Sequence, residues 1–123
     1  MSKKYQGKGA KFSDNYLEEI SVELGLQTTQ GKRALALALE CVQLLDSKQQ
    51  DYGPNNISYS GELGIAVRMQ DKVCRLRQLL ESGVQAKHEA KSDTSLDMAN
   101  YGIIGLMLDD NTWLSDLALF KRP

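Results

Sequence analysis

Two long stretches of this chain, residues 32–50 and 61–80, space their apolar residues with the period of an α-helix, and no stretch convincingly follows the period of a strand. In the first, Ala34, Leu37, Ala38, Cys41, Leu44 and Leu45 share one broad face. In the second, Ile65, Met69, Val73, Leu76 and Leu80 do the same. Each stripe must be covered by another element, and the only partners the pattern supplies are further helices. Ser13 or Asp14 can cap a first helix through Leu17, Ile20 and Leu24, with Gly25 ending it. Ser92 or Asp93 can cap a later helix carrying Leu96, Ile103, Ile104, Met107 and Leu108. A short last helix is expected to pack Trp113, Leu114, Leu117 and Phe120. The predicted fold is therefore all-α, a compact bundle of four to five helices.

The chain has 123 residues, enough for one domain with a real core, so residues 13–123 are read as a single helical domain. Residues 1–12, with lysines, glycines and two isolated aromatics, read as a flexible basic arm. A formal net charge of -1 gives no long-range attraction to nucleic acid or an anionic membrane. No apolar run approaches the roughly 20 residues that span a bilayer. The opening MSKKYQGKGAKF is basic but lacks the apolar segment of a secretory signal. Cys41 and Cys74 sit among apolar neighbours without a CxxC or Cys/His cluster, so two reduced, buried thiols in a cytoplasmic protein are expected. His88 stands alone in the polar run HEAKSD and reads as a surface residue.

Between the two long helices lies DYGPNNISYSG, whose glycine, proline and asparagines predict a loop. Lys48, Asp51 and Tyr52 stand where a helix meets this loop, and Lys48 points near the apolar centre of its helix. There Lys48 can touch a phosphate, and Tyr52 can stack on a base or close a pocket. Beyond the loop, Glu62 has an inward phase, and a buried glutamate needs a metal or a cationic partner. Arg68, Asp71 and Arg75 line an adjacent polar stripe, with Lys72 between stripe and core. Left exposed, that ladder contributes only about 0.2–0.5 kcal/mol per pair. Facing carboxylates across the bundle, it becomes a phosphate-gripping site.

Those carboxylates come later. Asp93, Asp97 and Asn100 fall at i, i+4 and i+7, one face of a helix that continues into apolar Ile104. Two aspartates one turn apart repel unless a cation compensates. Mg²⁺ accepts such carboxylates while keeping waters for substrate phosphates. The plainer account is that Asp93 caps the helix, Asp97 pairs with an arginine, and Asn100 bonds a loop. No P-loop or dinucleotide fingerprint is present.

The ordered set Lys48…Asp51-Tyr52-Gly53, Gly64-Ile65…Arg68-Met69…Asp71-Lys72…Arg75-Leu76, then Asp93-Thr94…Asp97…Asn100-Tyr101 resembles the nucleotide modification associated domain 1 family of phage and bacterial proteins. The resemblance covers about residues 40–108 and implies association with nucleotide modification. The chain is more loosely similar to the all-α nucleoside triphosphate pyrophosphohydrolases of the MazG and dimeric dUTPase kind. Those are oligomeric and Mg²⁺-dependent, with ExxE on one helix and ExxD on the next. Here Asp97-x-x-Asn100 keeps the second spacing but ends in an amide, and neither the second nor the third helix holds an ExxE pair.

Two functions are thereby expected. One is a nucleotide-binding pyrophosphohydrolase using Mg²⁺ held by Asp93, Asp97 and Glu62 or Glu40. Arg68, Lys72 and Arg75 would then stabilise phosphate charge, with Lys48 and Tyr52 holding the nucleotide. The other is a non-catalytic binder or sequestering protein for a nucleotide or nucleotide-like signal. Apolar faces on every major helix predict a homo-oligomer. A structural or partner-binding protein is the third reading.

Overall fold

The computed structural model describes residues 12–83, 91–115 and 119–120. The expected arm, apart from Phe12, falls outside those residues, as do His88 and Leu117. Among the described residues there are five helices and no strand, so the all-α expectation holds. None of the described helices is long and apolar enough to cross a membrane. The chain divides into two compact units, Met1–Asp51 and Tyr52–Pro123.

The first unit carries α1 (Asp14–Glu23) and nearly all of α2 (Thr29–Tyr52). Ser13 caps α1 as expected, its Oγ accepting from the Tyr16 N–H at 3.1 Å, while the Phe12 ring stacks on that of Tyr16. Gly25, at φ +68°, ends the helix: its N–H donates to Val22 O and that of Leu26 to Ser21 O, both at 3.0 Å. This is the Schellman arrangement, in which a left-handed residue lets two late carbonyls find donors. The second helix begins three residues before its apolar period, because the Thr28 hydroxyl accepts from the Gly31 N–H at 3.0 Å. Of the predicted stripe only Cys41 is buried, with Leu44 and Leu45 half-buried. Leu35 is buried instead, whereas Ala34, Leu37 and Ala38 are exposed. Lys48 is likewise exposed, not near an apolar centre.

The second unit holds α3 (Asn55–Ser58), α4 (Gly61–Ser82) and α5 (Lys91–Asp109). The third helix occupies the stretch expected to be a loop, and its Ile57 is only 3% exposed. A four-residue helix cannot sustain itself in water, so this one depends on what holds it from outside. Gly61, at φ +60°, turns the chain into α4, and a Cβ at Gly64 would overlap the Ser60 side chain. Helices α4 and α5 pack along each other. Lys72 meets Asp97, and a Cβ at Gly105 would lie 4.0 Å from Ile65 Cγ2. These two pairs run in opposite chain directions, so the helices are antiparallel. Among the described residues, Ile57, Ile65 and Ile104 are the buried apolar residues of this unit.

The inward face of α4 is turned toward Lys72 relative to the predicted stripe: Ile65 is buried, Met69 and Leu76 are half-buried, and Val73 and Leu80 are exposed. The end of α5 repeats the Schellman arrangement with an asparagine. Asn111 sits at φ 60°, its N–H donating to Leu108 O at 3.3 Å and that of Thr112 to Met107 O at 2.8 Å. Asp110 reinforces this stop by accepting from both the N–H and the hydroxyl of Thr112. The expected short last helix does not follow among the described residues. Leu114 and Phe120 lie exposed in turns, and only Trp113 is half-buried. The two cysteines are free as expected, but Cys74 is exposed and only Cys41 is buried.

Candidate functional site

Helix α4 presents Arg68, Lys72 and Arg75 at i, i+4 and i+7, the spacing that α5 gives to Asp93, Asp97 and Asn100. The antiparallel packing brings these stripes against each other. Lys72 Nζ lies 2.9 Å from Asp97 Oδ2, the side chains being 22% and 12% exposed. Lys72 therefore faces Asp97 across the two helices. With Lys72 opposite Asp97, the same register sets Arg75 level with Asp93 and Arg68 level with Asn100. Arg75 is exposed and Asp93 half-buried, and each holds a further interaction of its own.

Arg68 is half-buried, and its Nη2 donates to the backbone carbonyl of Asn56 at 3.1 Å. The guanidinium therefore links α4 to α3, a role the sequence pattern did not disclose. On α5, Thr94 is completely buried and Asn100 is 6% exposed. Among the described residues, the Oδ1 atoms of Asn100 and Asn56 are buried without a hydrogen-bond partner. Buried acceptors nearly always have a donor, so two such atoms in one small unit mark it as polar where a plain core would be apolar.

The other expected site residues stand differently. Glu62 is exposed, correcting its inward phase. It stands ten residues before Lys72, roughly 15 Å along the axis at 1.5 Å per residue. Its place in the first turn of α4 suits a carboxylate for a simpler reason, the partial positive charge of a helix N-terminus. Asp71 is exposed beside the cationic stripe. Tyr52 begins the second unit and is 68% exposed. Glu40, Lys48 and Asp51 belong to the first unit. In that unit, burial pushes the Cys41 thiol above its ordinary value, and the Glu40 charge adds to the effect.

Glu62 and Asp97 are too far apart along the pair to share one Mg²⁺, whose oxygen ligands lie about 2.0–2.1 Å from the ion. Asp93 and Asp97 stand one turn apart on α5. Among the described residues no three His, Cys, Asp or Glu side chains gather in a metal-binding group. No family model, curated protein or solved structure matches this chain.

Two features of the cluster went unseen in the sequence. Ile57 was hidden in a turn-like run, and Trp113 Nε1 donates to Pro54 O at 3.0 Å across 59 residues of chain. Only the lone isoleucine in NNISYS hinted at the first, and no local signal pointed to the second.

Proposed function

We propose that this chain binds a nucleotide or a similar phosphate-bearing small molecule on the α4–α5 face and leaves it intact. The carrying observation is the Lys72–Asp97 pair at 2.9 Å. It supports a binder over a metal-dependent hydrolase because the carboxylate best buried for holding Mg²⁺ is already matched by an ammonium. Arg68 and Arg75 flank that pair on the same stripe. Guanidinium groups grip phosphate oxygens in pairs, and each charge-assisted bond contributes about 1.5–3 kcal/mol. Tyr52 offers an exposed ring against which a base can stack.

The test is calorimetric titration with nucleoside mono-, di- and triphosphates in matched Mg²⁺ and EDTA buffers, with product analysis of every sample. Binding that survives EDTA and returns the ligand unchanged is the expected result. Replacing Lys72 by Met should then weaken it about tenfold or more. Binding only with Mg²⁺, accompanied by pyrophosphate release, overturns the proposal in favour of the hydrolase.

That second reading draws on Asp93 and Asp97 standing one turn apart, both partly buried. Mg²⁺ held there would supply positive charge to a phosphoanhydride. Under this reading Asp97→Asn abolishes turnover, and turnover that persists in the variant removes Asp97 from the role.

A further inference from the structure

The α3 segment is too short to be a helix on its own account, yet it is fixed at three separate points. Ile57 is buried at 3% exposure. Arg68 reaches from α4 to the carbonyl of Asn56 at 3.1 Å. Trp113, just past the end of α5, reaches the carbonyl of Pro54 at 3.0 Å. That same carbonyl already accepts from the N–H groups of Ile57 and Ser58, both at 3.2 Å. A carbonyl with two local donors has no need of a third for satisfaction. The contact from Trp113 therefore contributes position: it ties the segment to the turn that follows α5, at the end of the antiparallel pair where α4 begins.

We propose that Trp113 and Arg68 form a two-point latch on the Gly53–Ser58 segment, with Trp113 the positioning residue that holds Asn55 and Asn56 in place beside Arg68. This rests on the reading of that face as a ligand site. The anchors differ in kind. Ile57 is an apolar plug that tolerates small rotations, whereas the two hydrogen bonds fix the direction of the chain between them. The Asn111 turn that ends α5 delivers the indole, so the Asp110–Thr112 stop is part of the same device. Arg68 is shared between the latch and the proposed ligand. A second nitrogen of the same guanidinium is left to meet a phosphate while Nη2 holds the Asn56 carbonyl.

The experiment is amide hydrogen exchange on the full chain for wild type, Trp113→Phe and Arg68→Met, without ligand. Trp113→Phe keeps an aromatic ring and removes the donor. The amides of Ile57, Ser58 and Tyr59 should exchange roughly three- to tenfold faster in each variant, the loss expected for one net hydrogen bond, while the amides of α4 and α5 keep their rates. Unchanged exchange at these three amides in both variants overturns the latch. So does uniform acceleration throughout the unit, since Trp113 would then be a general packing residue.

A second arm adds inorganic pyrophosphate to wild type and to Trp113→Phe. Affinity reduced at least threefold in the variant supports the positioning role, and equal affinity overturns it. If wild type does not bind pyrophosphate, the ligand-site reading and with it the positioning role fail, while the exchange data still decide the latch.

Discussion

The two units bury their polar residues in different ways. In the second, three isoleucines share the interior with Thr94, Asn100 and the Lys72–Asp97 pair, and these residues come from three helices. In the first, Ser21, Leu35 and Cys41 are buried, while Val22, Leu24, Leu37 and Val42 are exposed on the same two helices. Both units carry strong apolar periodicity, so periodicity does not separate them. The difference lies in which side of a stripe another element covers. A helical stripe is a necessary condition for burial and says nothing about how far the cover extends.

The largest expected effect tests that contrast directly. Ile65→Ala or Ile57→Ala should cost about 2–4 kcal/mol in urea unfolding, because each opens a cavity in a covered core. Leu37→Ala, at an exposed position, should cost under about 0.5 kcal/mol. Equal costs would show that Leu37 is covered in solution and would erase the distinction.

Next in size is the ion pair. Lys72→Met should cost about 2 kcal/mol, since a mostly buried carboxylate loses its ammonium. Pairing it with Asp97→Leu should recover much of the loss, because the double variant buries no lone charge. A double variant as unstable as the sum of its parts would mean that Asp97 has a further structural partner of equal weight.

The cysteines extend the contrast to reactivity. Cys74, free and exposed, should react readily with a thiol reagent at neutral pH. Cys41 should react at least tenfold slower, since both burial and a raised proton affinity suppress its thiolate. The sign of the pH effect follows from the same shift. Below the ordinary thiol value both folded and unfolded chains keep the proton, and stability is unaffected. As pH rises beyond it, the unfolded chain releases the proton first, so stability falls until the folded thiol also ionises. Unfolding at pH 8 and pH 10 should therefore show an alkaline loss that Cys41→Ala reduces.

The smallest effect sharpens the description of α4 and α5. A Cβ at Gly102 meets nothing within 4 Å, so Gly102→Ala should stabilise by about 0.5–1 kcal/mol through helix propensity alone. Gly64→Ala should destabilise instead, because its Cβ would overlap Ser60 at the turn set by Gly61. Thermal unfolding of the two variants should move in opposite directions.

Much of the fold is legible in the residue pattern. The Ser13 cap and the Gly25 stop follow from local chemistry that neighbours in sequence complete among themselves, and the apolar period places Ile65 and Ile104 among the interior candidates. The candidate site is half legible. The matching i, i+4, i+7 spacings of Arg68, Lys72, Arg75 and Asp93, Asp97, Asn100 predict two stripes that could meet, and the Lys72–Asp97 contact is where they do. Glu62 shows where phase reasoning runs out. It stands eighteen residues before Leu80, five full turns, and so shares that residue's azimuth; both are exposed because the covered face of α4 is turned toward Lys72. Phase gives an angle around one helix and is blind to which part of a stripe the neighbouring helix covers.

The same blindness explains the third helix and Trp113. Asn55–Ser58 has turn-forming residues and no periodicity, and it is helical because Ile57, Arg68 and Trp113 hold it so. The sequence by itself determined the helical class, the two long helices and most of their ends, since those rest on hydrogen bonds and spacings within a few residues. Tertiary structure alone decided which face of α2 and α4 is inward, which cation meets Asp97, and what fixes the Gly53–Ser58 segment. Each of these depends on a partner distant along the chain, and local pattern carries no information about that distance.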